Sequence, residues 1–209
     1  MYTHSKQIIT AGTPIAQAKK AIIMLHGRGA SASGIIVLAN HLDLVDTAIF
    51  APQATDHSWY PYSFMAPVES NEPALSSALE LIDELVSDIT SQGIAKKDLY
   101  FLGFSQGACL TLEYVTRNAN RYGGVIAFTG GLIGEKLNAG NYQGDFKGTP
   151  VLITTGDPDP HVPLSRVEES VVILKKLKAK VQLEVYKGRP HTITAQELEL
   201  AVQHVLKAD

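Results

Sequence analysis

The chain has 209 residues, 45% of them hydrophobic and 19% charged, with a formal net charge of -3 and a pI near 6.2. This length suits one domain, residues 1–209, with a well-buried core; the composition excludes a disordered chain, and the mild acidity argues against a nucleic-acid partner, which needs a basic stripe. Cys109, the sole cysteine, excludes an internal disulfide and a thiolate zinc cluster and points to a reducing compartment. Residues Met1–Gln7 lack the basic start and apolar stretch of a signal peptide, and no apolar run reaches the ~20 residues of a membrane span, so a cytoplasmic protein without a transmembrane segment is expected.

Gln7–Gly12 reads as a first strand closed by Gly12-Thr13-Pro14. Ala21–Leu25 is apolar on both faces, the pattern of a central strand covered on each side, and ends at His26-Gly27-Arg28-Gly29. A helix capped by Ser31 or Ser33 is expected next, with Ile35, Ile36, Leu38, Ala39 and Leu42 on its apolar face, followed by a buried strand at Thr47–Ala51. Asp56–Pro67 holds the only tryptophan and several aromatics between prolines. It is expected to be an ordered loop, either pinned to the surface or forming a wall of a substrate pocket. Asn71 is a plausible N-cap for the clearest helix of the chain, in which Leu75, Leu79, Ile82, Leu85, Val86 and Ile89 mark one face up to Gly93.

Leu99–Leu102 forms a buried strand, and Ala108–Val115 has helical character. Between them lies Gly103-Phe104-Ser105-Gln106-Gly107. A serine on so sharp a strand-to-helix turn needs small residues two positions before and after it, where the two backbones crowd, and both are glycine here. Val125–Phe128 is a strand, and a connector from Thr129 to Gly148 follows, long enough to suggest an active-site loop or a loosely held excursion. The strand Val151–Thr155, an irregular loop Gly156–Pro163, a helix over 167–178, the strand Val181–Tyr186, a loop through His191 and a helix over 194–207 complete the pattern. The alternation implies a mostly parallel central sheet with helices on both faces.

A serine hydroxyl attacks a carbonyl at neutral pH only when a base takes its proton. His57, His161 and His191 all follow strands and so reach the carboxyl edge of the sheet with Ser105. His191, which follows the last strand and precedes the last helix, is favoured. The carboxylate that orients such a histidine is Asp157 or Asp159 on this reading. With either, the chain order serine, aspartate, histidine is the one that accompanies this elbow.

Leu25-His26-Gly27-Arg28-Gly29, Gly103-Phe104-Ser105-Gln106-Gly107 and the spacing Gly156–Pro163 resemble the L-H-G-x-G, G-F-S-Q-G and G-x-x-D-x-x-V-P motifs of the phospholipase/carboxylesterase family of α/β-hydrolases, which includes acyl-protein thioesterases and small bacterial carboxylesterases. The resemblance runs from about residue 20 to the end of the chain. It implies an α/β-hydrolase fold without a large cap domain, a metal- and cofactor-free mechanism, and the roles nucleophile for Ser105, base for His191 and orienting acid for Asp159 rather than Asp157. It also implies an oxyanion hole made by the backbone N–H groups of Arg28 and Gln106, and an acyl pocket beside Trp59, Tyr60, Tyr62, Phe64 and Met65. Two departures stand out. Thr155 replaces a histidine frequent before the acid-loop glycine, and Arg189-Pro190 precedes His191 where the family usually has glycine. The Arg28 side chain is expected either to be solvated or to attract an acidic substrate. The implied activity is cleavage of carboxylic esters through an acyl-enzyme by a small carboxylesterase, with lysophospholipids or acyl thioesters as alternative substrates. Dienelactone hydrolase-like chemistry, a non-catalytic binding protein and a metal site from Asp157, Asp159 and His161 are weaker readings. A monomer or homodimer is expected.

Overall fold

The computed structural model describes residues 2–207. One sheet contains β1 (Ile8–Gly12), β2 (Lys20–Leu25), β3 (Thr47–Pro52), β4 (Leu99–Phe104), β5 (Gly124–Phe128), β6 (Pro150–Asp157) and β7 (Lys180–Lys187), in the spatial order β1-β3-β2-β4-β5-β6-β7. Only β1 is antiparallel to its neighbour; every other pair is parallel. Five helices, α1 (Ala32–Ile36), α2 (Ala74–Ser91), α3 (Gln106–Arg117), α4 (Leu164–Lys176) and α5 (Ala195–Ala201), accompany the sheet.

Side-chain alternation along β2 shows why this strand reads as continuously apolar. Ala21, Ile23 and Leu25 enter one core with Phe101, Val125, Ile153 and residues of α2, α3 and α4, while Ile22 and Met24 enter another with Leu102, Ile126, Leu152 and residues of α1 and α5. Both faces of the central strands are covered, so the reactive groups gather at the carboxyl edge rather than on a face.

Several local expectations need correction. The helix after Ser31 is only Ala32–Ile36, capped by the Ser31 hydroxyl accepting from Gly34 N (3.1 Å), and it tightens to a 3-10 turn over Val37–His41. Asn71 does not cap α2. Its side chain is consumed by the preceding loop, accepting from Tyr62 N (2.9 Å) and donating to Ser63 O (3.0 Å), while Glu72 accepts from the amide and hydroxyl of Ser76. The last helix spans the expected range without a break but changes type: α5 starts in a capping box between Thr194 and Glu197 and continues as a π-helical turn at Val202–Leu206.

The 129–148 connector is neither loose nor part of the pocket described below. Fully buried Glu113 of α3 accepts from Ile133 N (2.9 Å) and the Tyr142 hydroxyl (3.0 Å), and buried Arg166 of α4 donates to the carbonyls of Leu132, Gly134 and Glu135. These two charged side chains give an irregular backbone the partners that a strand or helix would otherwise supply.

Candidate active site

Ser105 occupies the corner between β4 and α3 with φ 55° and ψ -118°, a conformation that costs a non-glycine residue on the order of 1–3 kcal/mol. The surrounding main chain enforces it: Ser105 N donates to Phe128 O (2.9 Å), and Ser105 O accepts from Cys109 N (3.0 Å). A Cβ on Gly103 would lie 2.3 Å from Gly107 O, and one on Gly107 would lie 2.2 Å from Leu25 O. The two glycines are therefore a steric requirement of the crossing.

The loop after β7 brings His191 to this corner. His191 Nε2 lies 2.8 Å from Ser105 Oγ, and His191 Nδ1 lies 2.8 Å from Asp159 Oδ2. Asp159 comes from the loop after β6. Its second oxygen accepts from the amides of His161 and Val162, both at 2.9 Å. Burial is the largest single influence on this carboxyl and pushes its pKa up, but the hydrogen bonds from His191 and the two amides together outweigh it and hold Asp159 below the ordinary carboxylate value. An ionised Asp159 fixes the proton on Nδ1 and leaves Nε2 to face the serine. The imidazole is further confined between Phe104 (ring centroids 5.2 Å apart) and His161 (4.9 Å, edge-on).

Of the other candidates, His161 lies against His191 and lines the cavity, while Asp157 and His57 fall elsewhere. Asp157 is the exposed last residue of β6. His57 has Nδ1 against Ala30 O (2.7 Å) and lines a separate depression with Ser5, Gln7 and Gln53. Among the described residues, no group of three or more His, Cys, Asp or Glu side chains is arranged to hold a metal ion, so Asp157, Asp159 and His161 do not form one.

A cavity of about 480 Å³ opens beside Ser105, within the range of small-molecule sites. Tyr60, Tyr62 and Phe64 line it, with Phe104, Cys109, His161 and Val162 completing the wall. Trp59 and Met65 do not. Trp59 is fully buried behind the wall, its indole N–H donating to His26 O (2.8 Å) and its ring against His26, and half-buried Met65 packs on the core. An indole turned inward to satisfy its single donor cannot also face a ligand. Cys109 lies one helical turn after Ser105 and so shares its face of α3, a spacing readable in the sequence. Burial pushes its thiol up to about 12, so it presents a neutral apolar surface.

Two residues expected to contribute backbone N–H groups also fasten the pocket wall with their side chains. Gln106 accepts from Trp59 N (2.9 Å) and donates to Tyr60 O (2.8 Å). Arg28 donates to Ser58 Oγ (3.0 Å), Pro61 O (2.8 Å) and Tyr62 O (2.6 Å), so its guanidinium is fastened to the wall rather than simply solvated. The amides of Arg28 and Gln106 have no hydrogen-bond partner among the described residues, and Gln106 N stands at the positive end of α3. Behind Arg28, fully buried His26 accepts from Ala54 N at Nε2 (3.1 Å), which leaves the ring proton on Nδ1 to donate to Gly27 O (2.8 Å).

The sheet order, the strained serine between β4 and α3, and histidine and aspartate loops at the carboxyl edge define an α/β-hydrolase. The profile described as Phospholipase/Carboxylesterase matches residues 6–208, and the chain belongs to that family. The crystal structure of a phospholipase/carboxylesterase from Dyadobacter fermentans is 64% identical, covers 99% of both chains and superposes with a TM-score of 0.98. Acyl-protein thioesterase 1 of Kluyveromyces lactis is 26% identical across 91% of this chain and 92% of its own length. A probable carboxylesterase, SOBER1-like, of Arabidopsis thaliana is 25% identical across 87% of this chain and 76% of its own. The protein is an ester hydrolase of the carboxylesterase/acyl-protein thioesterase type. No helix among the described residues is long and apolar enough to cross a membrane.

Proposed function

We propose that the chain cleaves small carboxylic esters through an acyl-enzyme formed on Ser105. The observation that carries this reading is the continuous chain Ser105–His191–Asp159, joined by two contacts of 2.8 Å, with Ser105 and His191 lining the cavity. Ser105 Oγ attacks the acyl carbonyl while His191 Nε2 takes its proton. Asp159 stabilises the imidazolium, which then protonates the departing alcohol. The amides of Arg28 and Gln106 receive the developing oxyanion; one such donor is typically worth about 10²–10³ in rate. Water, deprotonated by His191, releases the acid and restores the serine.

A thioester passes through the same acyl-enzyme, and the fungal relatives named acyl-protein thioesterase 1 keep it as the second reading. A cavity of about 480 Å³ walled by aromatic rings accommodates the apolar acyl group of an ester, in a single domain that carries the whole site. Cytoplasmic location remains our reading, from the lone buried Cys109.

The test is hydrolysis of p-nitrophenyl esters of increasing acyl length by wild type and Ser105→Ala. Turnover should peak at short acyl groups and fall by about 10⁴–10⁶-fold in the variant. A Ser105-dependent optimum at long acyl chains would move the assignment to lipids or acyl-proteins, and normal turnover in Ser105→Ala would remove the serine from the mechanism.

A further inference from the structure

The loop carrying His191 is weakly held by its own backbone. Among the described residues, no amide from Pro190 to Ile193 donates to a main-chain carbonyl, and no carbonyl there accepts from a main-chain amide. The two carbonyls that are bonded, those of Pro190 and Thr192, flank His191 and accept from one guanidinium nitrogen, Nη1 of Arg189. Arg189 is buried. Its other terminal nitrogen, Nη2, donates to Thr129 Oγ1 (2.7 Å) and stands 3.7 Å from Glu197 Oε1.

The anchors connect this splint to the rest of the site. Thr129 directly follows Phe128, whose carbonyl accepts the Ser105 amide, so the elbow and the histidine loop are fastened to the same corner after β5. Fully buried Glu197 accepts from the Thr154 hydroxyl of β6 and, with its other oxygen, from Thr194 N (2.9 Å) and Oγ1 (2.8 Å), which begins α5 just beyond His191. Arg189 Nε–H has no partner among the described residues. A buried guanidinium that leaves one donor unpaired while filling its terminal fork is placed for what the fork holds.

We infer that Arg189, anchored on Glu197 and Thr129, is a positioning residue that sets His191 against Ser105. The inference rests on the proposed role of His191 as base. Arg189 touches no reacting atom; it replaces the missing main-chain bonds of the loop with side-chain bonds. Its planar fork spans two carbonyls and a hydroxyl at once, which an ammonium group does not reproduce.

The experiment compares wild type, Arg189→Met, Arg189→Lys and Thr129→Val on p-nitrophenyl acetate below each protein's melting temperature. In parallel it follows the downfield imidazole Nδ1 proton resonance that disappears in His191→Ala. Arg189→Met should lower kcat by roughly 10–100-fold with KM held within about twofold, and should broaden or abolish the resonance. Arg189→Lys should recover part of both losses. Thr129→Val, which leaves the buried charge pair in place, should give a smaller change of the same kind. Folded Arg189→Met with wild-type kcat and an intact resonance would overturn the inference. If that variant does not fold, a wild-type kcat and resonance in Thr129→Val would overturn it instead. Failure of wild type to hydrolyse esters in a Ser105-dependent way would count against the catalytic reading. The resonance requires no substrate and would still report whether Arg189 orients His191.

Discussion

On one side of the 2.8 Å contact between Ser105 and His191, the serine is held by main chain: its amide on β5, its carbonyl in α3, and two glycines where backbones nearly touch. On the other side, the histidine loop is held by side chains, with Asp159 on the ring and Arg189 on the flanking carbonyls. Main-chain support is compact, and it tolerates no added atom. Side-chain support rests on single polar groups, and substitution there should act on turnover more than on folding.

Three changes would break or sharpen this contrast. The largest effect is expected from Asp159→Asn, which leaves the shape intact but removes the charge that fixes the histidine proton on Nδ1. Turnover should fall about 10⁴-fold while the melting temperature stays close to wild type. Steady-state kinetics beside a thermal melt checks this, and retained turnover would show that Asp159 does not orient the base. Gly107→Ala should act in the opposite manner. Its Cβ would meet Leu25 O at 2.2 Å, so the helix must move away from β2, at a cost of about 3 kcal/mol or more. Urea unfolding measures this; a variant with an unchanged midpoint would mean that the crossing is not tightly packed.

The smallest effect concerns the struts behind Arg28. Burial lowers the pKa of His26, and of His4, whose Nε2 meets Trp59 O at 2.9 Å. Each group is thus less easily protonated in the folded chain than in the unfolded one. The stability this confers is fully present above the unfolded value of about 6.5 and is lost as pH falls through the lower folded value. A melting temperature followed from pH 7 to 5 should decline, and less steeply in His26→Asn. Equal slopes would remove His26 from the acid response. The comparison also tests whether the main-chain half of the site carries a pH-sensitive support of its own.

Much of the main-chain half was legible in the sequence. A serine between glycines, entered from an apolar strand and left by a helix, is a local pattern, and the close approach of Gly103 to Gly107 lies within it. The side-chain half was less legible. Counting strands puts His191 and both Asp157 and Asp159 at the carboxyl edge, and only the family resemblance singles out Asp159, while Arg189 shows only as a departure from a familiar pattern. Thr129 and Glu197, sixty positions before it and eight after, give no signal of meeting it. The aromatic stretch reads as ordered from its sequence, which does not reveal which rings face the cavity, because Trp59 turns inward to pair its N–H with His26 O.

By itself, then, the sequence determined what hydrophobic alternation, glycine sterics and motif order control: a parallel sheet covered on both faces, the strained turn at Ser105, and the chemical types that gather at the carboxyl edge. Only the tertiary structure decided which side chains complete the supports. Glu113 and Arg166 bind the long connector, Gln106 and Arg28 fasten the pocket wall, and Arg189 holds the histidine loop. Each is a polar or charged group whose partners come from other elements. Periodicity records whether a position faces inward, whereas the identity of a buried hydrogen-bond partner is fixed only when the elements pack.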